Sequence, residues 1–207
     1  MTRMSAPFGP TTLARRLVIV PGLGGSGPSH WQTLWQQAHP RATTFAPASV
    51  DAPELEDWIH AVDRGVDLSG DRPVLVAHSL GTIAAAAWMA RRPQRAMAAL
   101  LVAPPDTERA DAPEAIRGFV HVPTQAAGVP VAVVASRDDP YGTFAHAERV
   151  AQALGARLVD AGSRGHLNAD SGLGAWEVGL LELDRLAAAA SPSVVLGAED
   201  DLIPARD

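Results

Sequence analysis

Short apolar runs rich in Val, Leu and Ile alternate along the chain with longer stretches whose apolar positions recur every three or four residues. RLVIVPG, from Arg16, predicts a buried strand. HWQTLWQQAH predicts a helix with Trp31, Leu34, Trp35 and Ala38 on one face. RATTFAPA reads as a weaker strand. DAPELEDWIHAVDRGV opens with Asp51 as an N-cap signal and a proline, then takes up helical periodicity. Strand PVLVAH, helix LGTIAAAAWMARR and strands MAALLVAPP and VPVAVVAS follow. Helix TFAHAERVAQALG, strand ARLVDAG and helix GAWEVGLLELDRLAAAA complete the series. Strands this apolar, separated by helices, imply an α/β fold with a mostly parallel sheet covered on both faces. The segment from Pro104 to Gly128 is irregular and proline-rich, and too short for a large lid domain.

The length of 207 residues suits one domain with a well-buried core. We expect residues 1–15 to be an N-terminal extension, 16–190 the domain, and 191–207 a tail set off by a Ser-Pro-Ser break. No apolar run is long enough or free enough of charge to span a bilayer. The pair Arg15-Arg16 precedes an apolar run that continues into Pro21-Gly22 rather than a cleavage site, which argues against a secretory signal and for a cytoplasmic location. The absence of cysteine excludes disulfides, thiolate metal sites and a cysteine nucleophile. A net charge of −6 without a basic cluster argues against nucleic acid as a partner.

The glycine-rich stretch VPGLGGSGPSHW, Val20 to Trp31, raises the question of phosphate binding. It lacks the Lys-Ser/Thr ending of a P-loop, and no acidic ribose partner stands out at the usual distance. A metal site is weaker still, since no His/Asp cluster shows ligand spacing. The stronger chemistry lies in PVLVAHSLGTIAAAA, where a buried strand runs through Ser79 straight into an alanine-rich helix. This is a small-x-Ser-x-Gly form of the nucleophile elbow, with Ala77 at the first small position and Gly81 at the second. The alternative is an ordinary strand–turn–helix with a serine N-cap.

A serine nucleophile needs a base, and the base an orienting acid. His166 lies in the glycine-rich loop DAGSRGHLNADSG, after a strand and before the last helix. His78 neighbours the serine but is expected to point away from the reacting side. His39, His60, His121 and His146 read as surface or structural residues. Two apolar runs end in paired acids, Asp138-Asp139 and Asp200-Asp201. The order serine, acid, histidine admits only the first pair. Asp139, immediately before Pro140, is the choice, with Asp138 capping the next helix or bonding within the loop.

VIVPGLGGSGPSHWQTLW, LVAHSLGTIAAAAW, FVHVP and VASRDDPYGTFAHAERVAQALGARLVDAGSRGHLNADSGLGAWEVG together resemble the small serine hydrolases of the retinoblastoma-binding-protein-9 family. The resemblance runs from about Arg16 to Leu186, and departs in the first dozen residues and after Ala190. It implies a compact α/β-hydrolase fold without a large cap domain, a triad of Ser79, Asp139 and His166, and esterase-like action on small acyl substrates without metal or organic cofactor. Under this reading the backbone N–H groups of Leu80 and Leu23 form the oxyanion hole. Gly22, His30 and Trp31 are candidates for the substrate pocket, with His30 either lining it or fixing the loop by a hydrogen bond, and the second is favoured. Ser26 or Ser29 would bond within the turn, and Ser29 would cap the helix carrying Trp31. The rival readings are a non-catalytic binding protein on the same fold, or a thioesterase, amidase or acyltransferase using the same three residues.

Overall fold

The computed structural model describes residues 8–120 and 127–190. His121, part of the FVHVP motif, and the acids Asp200 and Asp201 lie outside the described residues. Six strands form one sheet: β1 (Leu17–Val20), β2 (Ala42–Thr44), β3 (Val74–His78), β4 (Ala98–Val102), β5 (Val131–Ala135) and β6 (Arg157–Asp160). Their spatial order is β2-β1-β3-β4-β5-β6, and every pairing is parallel. The connections carry α2 (Trp31–Ala38), α3 (Leu55–Ser69), α4 (Leu80–Arg91) and α5 (Phe144–Leu154); α1 (Pro10–Leu13) precedes the sheet and α6 (Glu177–Ala189) follows it.

Period-two alternation sends neighbouring side chains to opposite layers. Val18, Val20, Leu75, Ala77, Ala99, Leu101 and Val133 pack in one cluster with α3, α4 and α5. Leu17, Ile19, Val74, Val76, Ala98, Leu100 and Val134 pack in the other with α2 and α6. Helix α4 is buried on nearly every side, with Ala84 and Ala85 fully inaccessible. Its small side chains let it lie between the sheet and α3, whose Asp63 accepts a 2.8 Å hydrogen bond from the Trp88 indole of α4. No helix among the described residues is long and apolar enough to cross a membrane.

Residues 8–15 pack onto the domain: Phe8 lies edge-on against Trp35 and His39, and Asp184 of α6 accepts from Gly9 N and from the Thr12 hydroxyl. Four-residue α1 is too short to show a period. Helix α3 does not start at Asp51 but at Leu55, with Glu54 as an N-cap that makes no side-chain bond. The Ser49 hydroxyl accepts from Asp51 N and Ala52 N, holding the chain in a turn, and a residue before proline avoids the helical region.

Strand order reverses direction between β1 and β3. In an open parallel sheet, ligands settle in the crevice outside the carboxyl ends of the strands at such a reversal. The glycine-rich loop leaves β1 there, and Ser79 leaves β3 beside it.

Candidate active site

Ser79 is the hinge between β3 and α4, with φ 51° and ψ −127°, a conformation that costs a non-glycine residue of order 1–3 kcal/mol. The turn is over-determined by its neighbours. Ser79 N donates to Val102 O of β4 at 2.9 Å, and Thr82 returns both its amide and its hydroxyl to Ser79 O at 2.8 and 2.7 Å. Gly81 is required by contact: a Cβ there would lie 2.4 Å from Pro21 O and 2.7 Å from Val20 O. Gly22 sits against the serine in the same way, its Cβ position 2.8 Å from Ser79 Cβ. The two small residues therefore let the end of β1 close on the turn.

His166 and Asp139 arrive from the loops after β6 and β5. Ser79 Oγ is 2.8 Å from His166 Nε2, and His166 Nδ1 is 2.8 and 2.9 Å from the Asp139 carboxylate oxygens. A carboxylate only accepts, so Nδ1 carries the proton and Nε2 is left to accept from the Ser79 hydroxyl. His166 and Asp139 side chains are 9% and 3% exposed, so the pair is shielded from bulk water. Tyr141 N donates to Asp139 Oδ1 at 2.9 Å, and the Tyr141 ring meets His166 edge-on at 4.6 Å. Asp138 instead bonds within the loops: its Oδ1 accepts from Ser136 Oγ at 2.7 Å and Gly165 N at 2.8 Å. Those bonds, the serine hydroxyl first, hold its carboxyl below the usual carboxylate range. The helix that follows is capped by Thr143, not by Asp138.

A cavity of about 320 Å³ opens over Ser79 and His166. Gly22, Leu23, Gly25, Gly27, His30 and His78 line one part, and Pro105, Pro113, Ile116, Tyr141 and Asn168 others. Its size is near the lower end for small-ligand sites, roughly 300–1,000 Å³. The described part of the Pro104–Gly128 segment thus contributes three wall residues, Pro105, Pro113 and Ile116. Neither Leu23 N nor Leu80 N donates to a protein acceptor among the described residues, and Leu80 is the first residue of α4, whose N-terminal end favours negative charge.

Several residues stand differently from the sequence expectation. Trp31 is not a pocket residue: it is 1% exposed, in the core with Trp35 and Trp176, and its indole N–H donates to Leu167 O at 2.8 Å. It anchors the loop of His166 from behind. Helix α2 is capped by His30, whose Nδ1 accepts from Gln32 N at 3.1 Å, rather than by Ser29. His30 both lines the cavity and fixes the loop. His78 does not turn away: it lines the cavity, its Nε2–H donates to His166 O at 2.9 Å, and its ring lies 4.9 Å from the His166 ring. Burial, reinforced by His166, lowers the His30 pKa to about 4 and that of His78 well below its usual value, so both rings are uncharged at neutral pH. His39, too, is buried, and its burial lowers its pKa.

Gln32 went unnoticed. It is fully buried; its amide donates to Val20 O and Val76 O at 3.0 and 3.1 Å, and its Oε1 accepts from Ser26 Oγ at 2.8 Å. One side chain thereby ties β1, β3 and the glycine loop together. The signal was a polar residue between Trp31 and Trp35. Glycines 22, 24 and 27 do keep the spacing of a dinucleotide fingerprint. The third glycine of that motif serves close helix–strand packing, whereas a Cβ on Gly27 would meet nothing within 4 Å and α2 begins only at Trp31.

Residues 17–185 match the family model described as serine hydrolase. The chain belongs to the serine hydrolase family. This serine hydrolase is 30% identical to a YdeN-like hydrolase from Pectobacterium atrosepticum, over 86% of this chain and 92% of that one, with a TM-score of 0.76. The ydeN gene product of B. subtilis is 21% identical over 84% of this chain and 99% of its own, with a TM-score of 0.70. Est1E from Butyrivibrio proteoclasticus, at 14% identity over 85% and 88% of the two chains and a TM-score of 0.63, shares the fold. No curated protein sequence matches the chain. The α/β-hydrolase architecture expected from the sequence is thus present in this enzyme, with a sheet parallel throughout its described strands.

Proposed function

We propose that this serine hydrolase cleaves small acyl esters through a Ser79–His166–Asp139 triad and an acyl-enzyme intermediate. The observation that carries the reading is the continuous pair of hydrogen bonds from Ser79 Oγ through His166 to the Asp139 carboxylate, opening on a cavity of about 320 Å³. His166 Nε2 takes the hydroxyl proton as Ser79 Oγ attacks the ester carbonyl. Asp139 holds the imidazole in the tautomer that can accept this proton and stabilises the imidazolium formed. The carbonyl oxygen, now an oxyanion, is met by Leu80 N–H and Leu23 N–H, whose amides have no protein acceptor to give up among the described residues. The imidazolium then protonates the leaving alcohol, and water activated by the same ring releases the acid. The motif resemblance to the retinoblastoma-binding-protein-9 family supports the same three residues.

A fluorophosphonate probe should label the wild-type protein and not Ser79→Ala. Short-chain 4-nitrophenyl esters should turn over faster than matched thioesters and anilides. A folded wild-type protein that resists the probe at neutral pH would remove the basis for the proposal.

A further inference from the structure

His30 has one ring nitrogen committed and one free. Gln32 N donates to Nδ1, so Nδ1 carries a lone pair, and the ring proton of the imidazole sits on Nε2. That N–H has no hydrogen-bond acceptor among the described residues, although His30 is only 4% exposed and lines the cavity over Ser79. Its edge-on neighbour, the His78 ring at 4.8 Å, offers at most a weak acceptor. The position is held firmly: His30 caps α2, and its own amide donates to Gly27 O at 3.0 Å.

We infer that His30 Nε2–H is a substrate-binding donor, and that this enzyme selects small esters carrying a second oxygen acceptor, a hydroxyl, ether or carbonyl oxygen, beside the scissile ester. This rests on the ester-hydrolase reading above and specifies its substrate class. Oxygenated and hydrocarbon substrates meet this donor differently. Water can satisfy the donor in the empty cavity. A hydrocarbon substrate that displaces this water leaves a buried N–H unpaired, which weakens its binding. A substrate oxygen in that place restores the bond. Such sites discriminate against analogues that lack the acceptor.

The test uses two isosteric ester pairs, one oxygenated in the acyl group and one in the alcohol: 4-nitrophenyl methoxyacetate against 4-nitrophenyl butanoate, and 2-methoxyethyl acetate against butyl acetate. The quantity read is the ratio of kcat/KM, oxygenated over hydrocarbon, in the wild type and in His30→Asn. Asparagine keeps an acceptor at the N-cap but not the Nε2–H; His30→Ser serves equally if that variant folds poorly. In at least one pair the wild-type ratio should exceed that of the variant by about tenfold, and intrinsic ester reactivity cancels in the comparison. If both ratios stay within about twofold, or both members of each pair fall together, His30 is only a loop and helix-capping residue and the inference is wrong. Fluorophosphonate labelling of Ser79 in the wild type separates the two failures. A labelled enzyme with unchanged ratios sinks the role of His30 alone, and an unlabelled one sinks the hydrolase mechanism.

Discussion

Asp139→Asn replaces the carboxylate that faces His166 with a group of the same shape. Tyr141 N donates to Asp139 Oδ1, so an asparagine keeps its oxygen on that amide and turns its NH₂ toward His166. The NH₂ then donates to Nδ1, and the ring proton moves to Nε2, the nitrogen 2.8 Å from Ser79 Oγ. A protonated Nε2 cannot accept the serine proton. A wrong tautomer of this kind in a serine protease costs on the order of 10⁴ in kcat, or about 5 kcal/mol of barrier. Asp138→Asn is the internal control. Both of its bonds, from Ser136 Oγ and Gly165 N, fall on Oδ1, which asparagine retains. Its turnover should stay within about threefold of the wild type. The assay is kcat on a 4-nitrophenyl ester for all three proteins, with thermal denaturation to show that each is folded. A folded Asp139→Asn enzyme within about tenfold of wild-type kcat would refute the tautomer argument. So would an Asp138→Asn enzyme that is the more damaged of the two.

Three further outcomes follow from contacts already described. Gly81→Ala sets a methyl group against two backbone oxygens of the β1 end, so it should lower stability by at least about 1–3 kcal/mol and abolish labelling of Ser79; Gly27→Ala, with open space around it, should do neither. Stability should fall on acidification, because the unfolded chain binds a proton at His30 near pH 6.5 while the folded state resists until about pH 4. The stability is fully present above pH 6.5 and lost progressively down to about 4, at most about 3 kcal/mol from this residue and less as cavity solvent screens it; urea unfolding at several pH values should show a flatter slope for His30→Asn, and identical slopes would count against it. Finally, Pro113, Ile116 and Tyr141 separate the reactive cavity from an adjoining one of about 130 Å³. Ile116→Ala should merge the two and raise kcat/KM for octanoyl over butanoyl esters about tenfold, whereas an unchanged chain-length profile would place the acyl group elsewhere.

What could be read from the chain, and what could not, divides along a physical line. Residues 74–91 announce their geometry locally: a strand apolar up to His78, small residues around Ser79, then alanines, can pack only as a buried strand turning sharply into a buried helix. A wholly parallel sheet then places every strand's carboxyl end on one edge. Chemistry must therefore be sought just after a strand, where Gly22, Ser79, Asp139 and His166 all stand, behind β1, β3, β5 and β6. That rule cannot choose between adjacent residues. Asp138 and Asp139 differ by one peptide, and only the incoming loop after β6, with Gly165 N for one and His166 Nδ1 for the other, separates them.

The same limit explains Trp31 and His78. Helical period marks Trp31 as apolar-face, but not that the face is closed by Trp176 and Leu167 O, contributed from more than 130 residues away. His78 alternates onto a face of β3 that periodicity calls interior, and its hydrogen bond depends on where His166 O happens to return. Trp31 and His78 act on the site through partners distant in sequence. Ser79 needs only its own strand and helix to stand out as the candidate nucleophile, whereas its supports need the whole fold. Mutational effects should follow the same order. Changes to residues recognisable locally, Ser79 and Gly81, should remove activity outright, while changes to the supports should be graded, Trp31 and His78 acting by displacing the His166 loop and Gln32 by loosening the glycine loop.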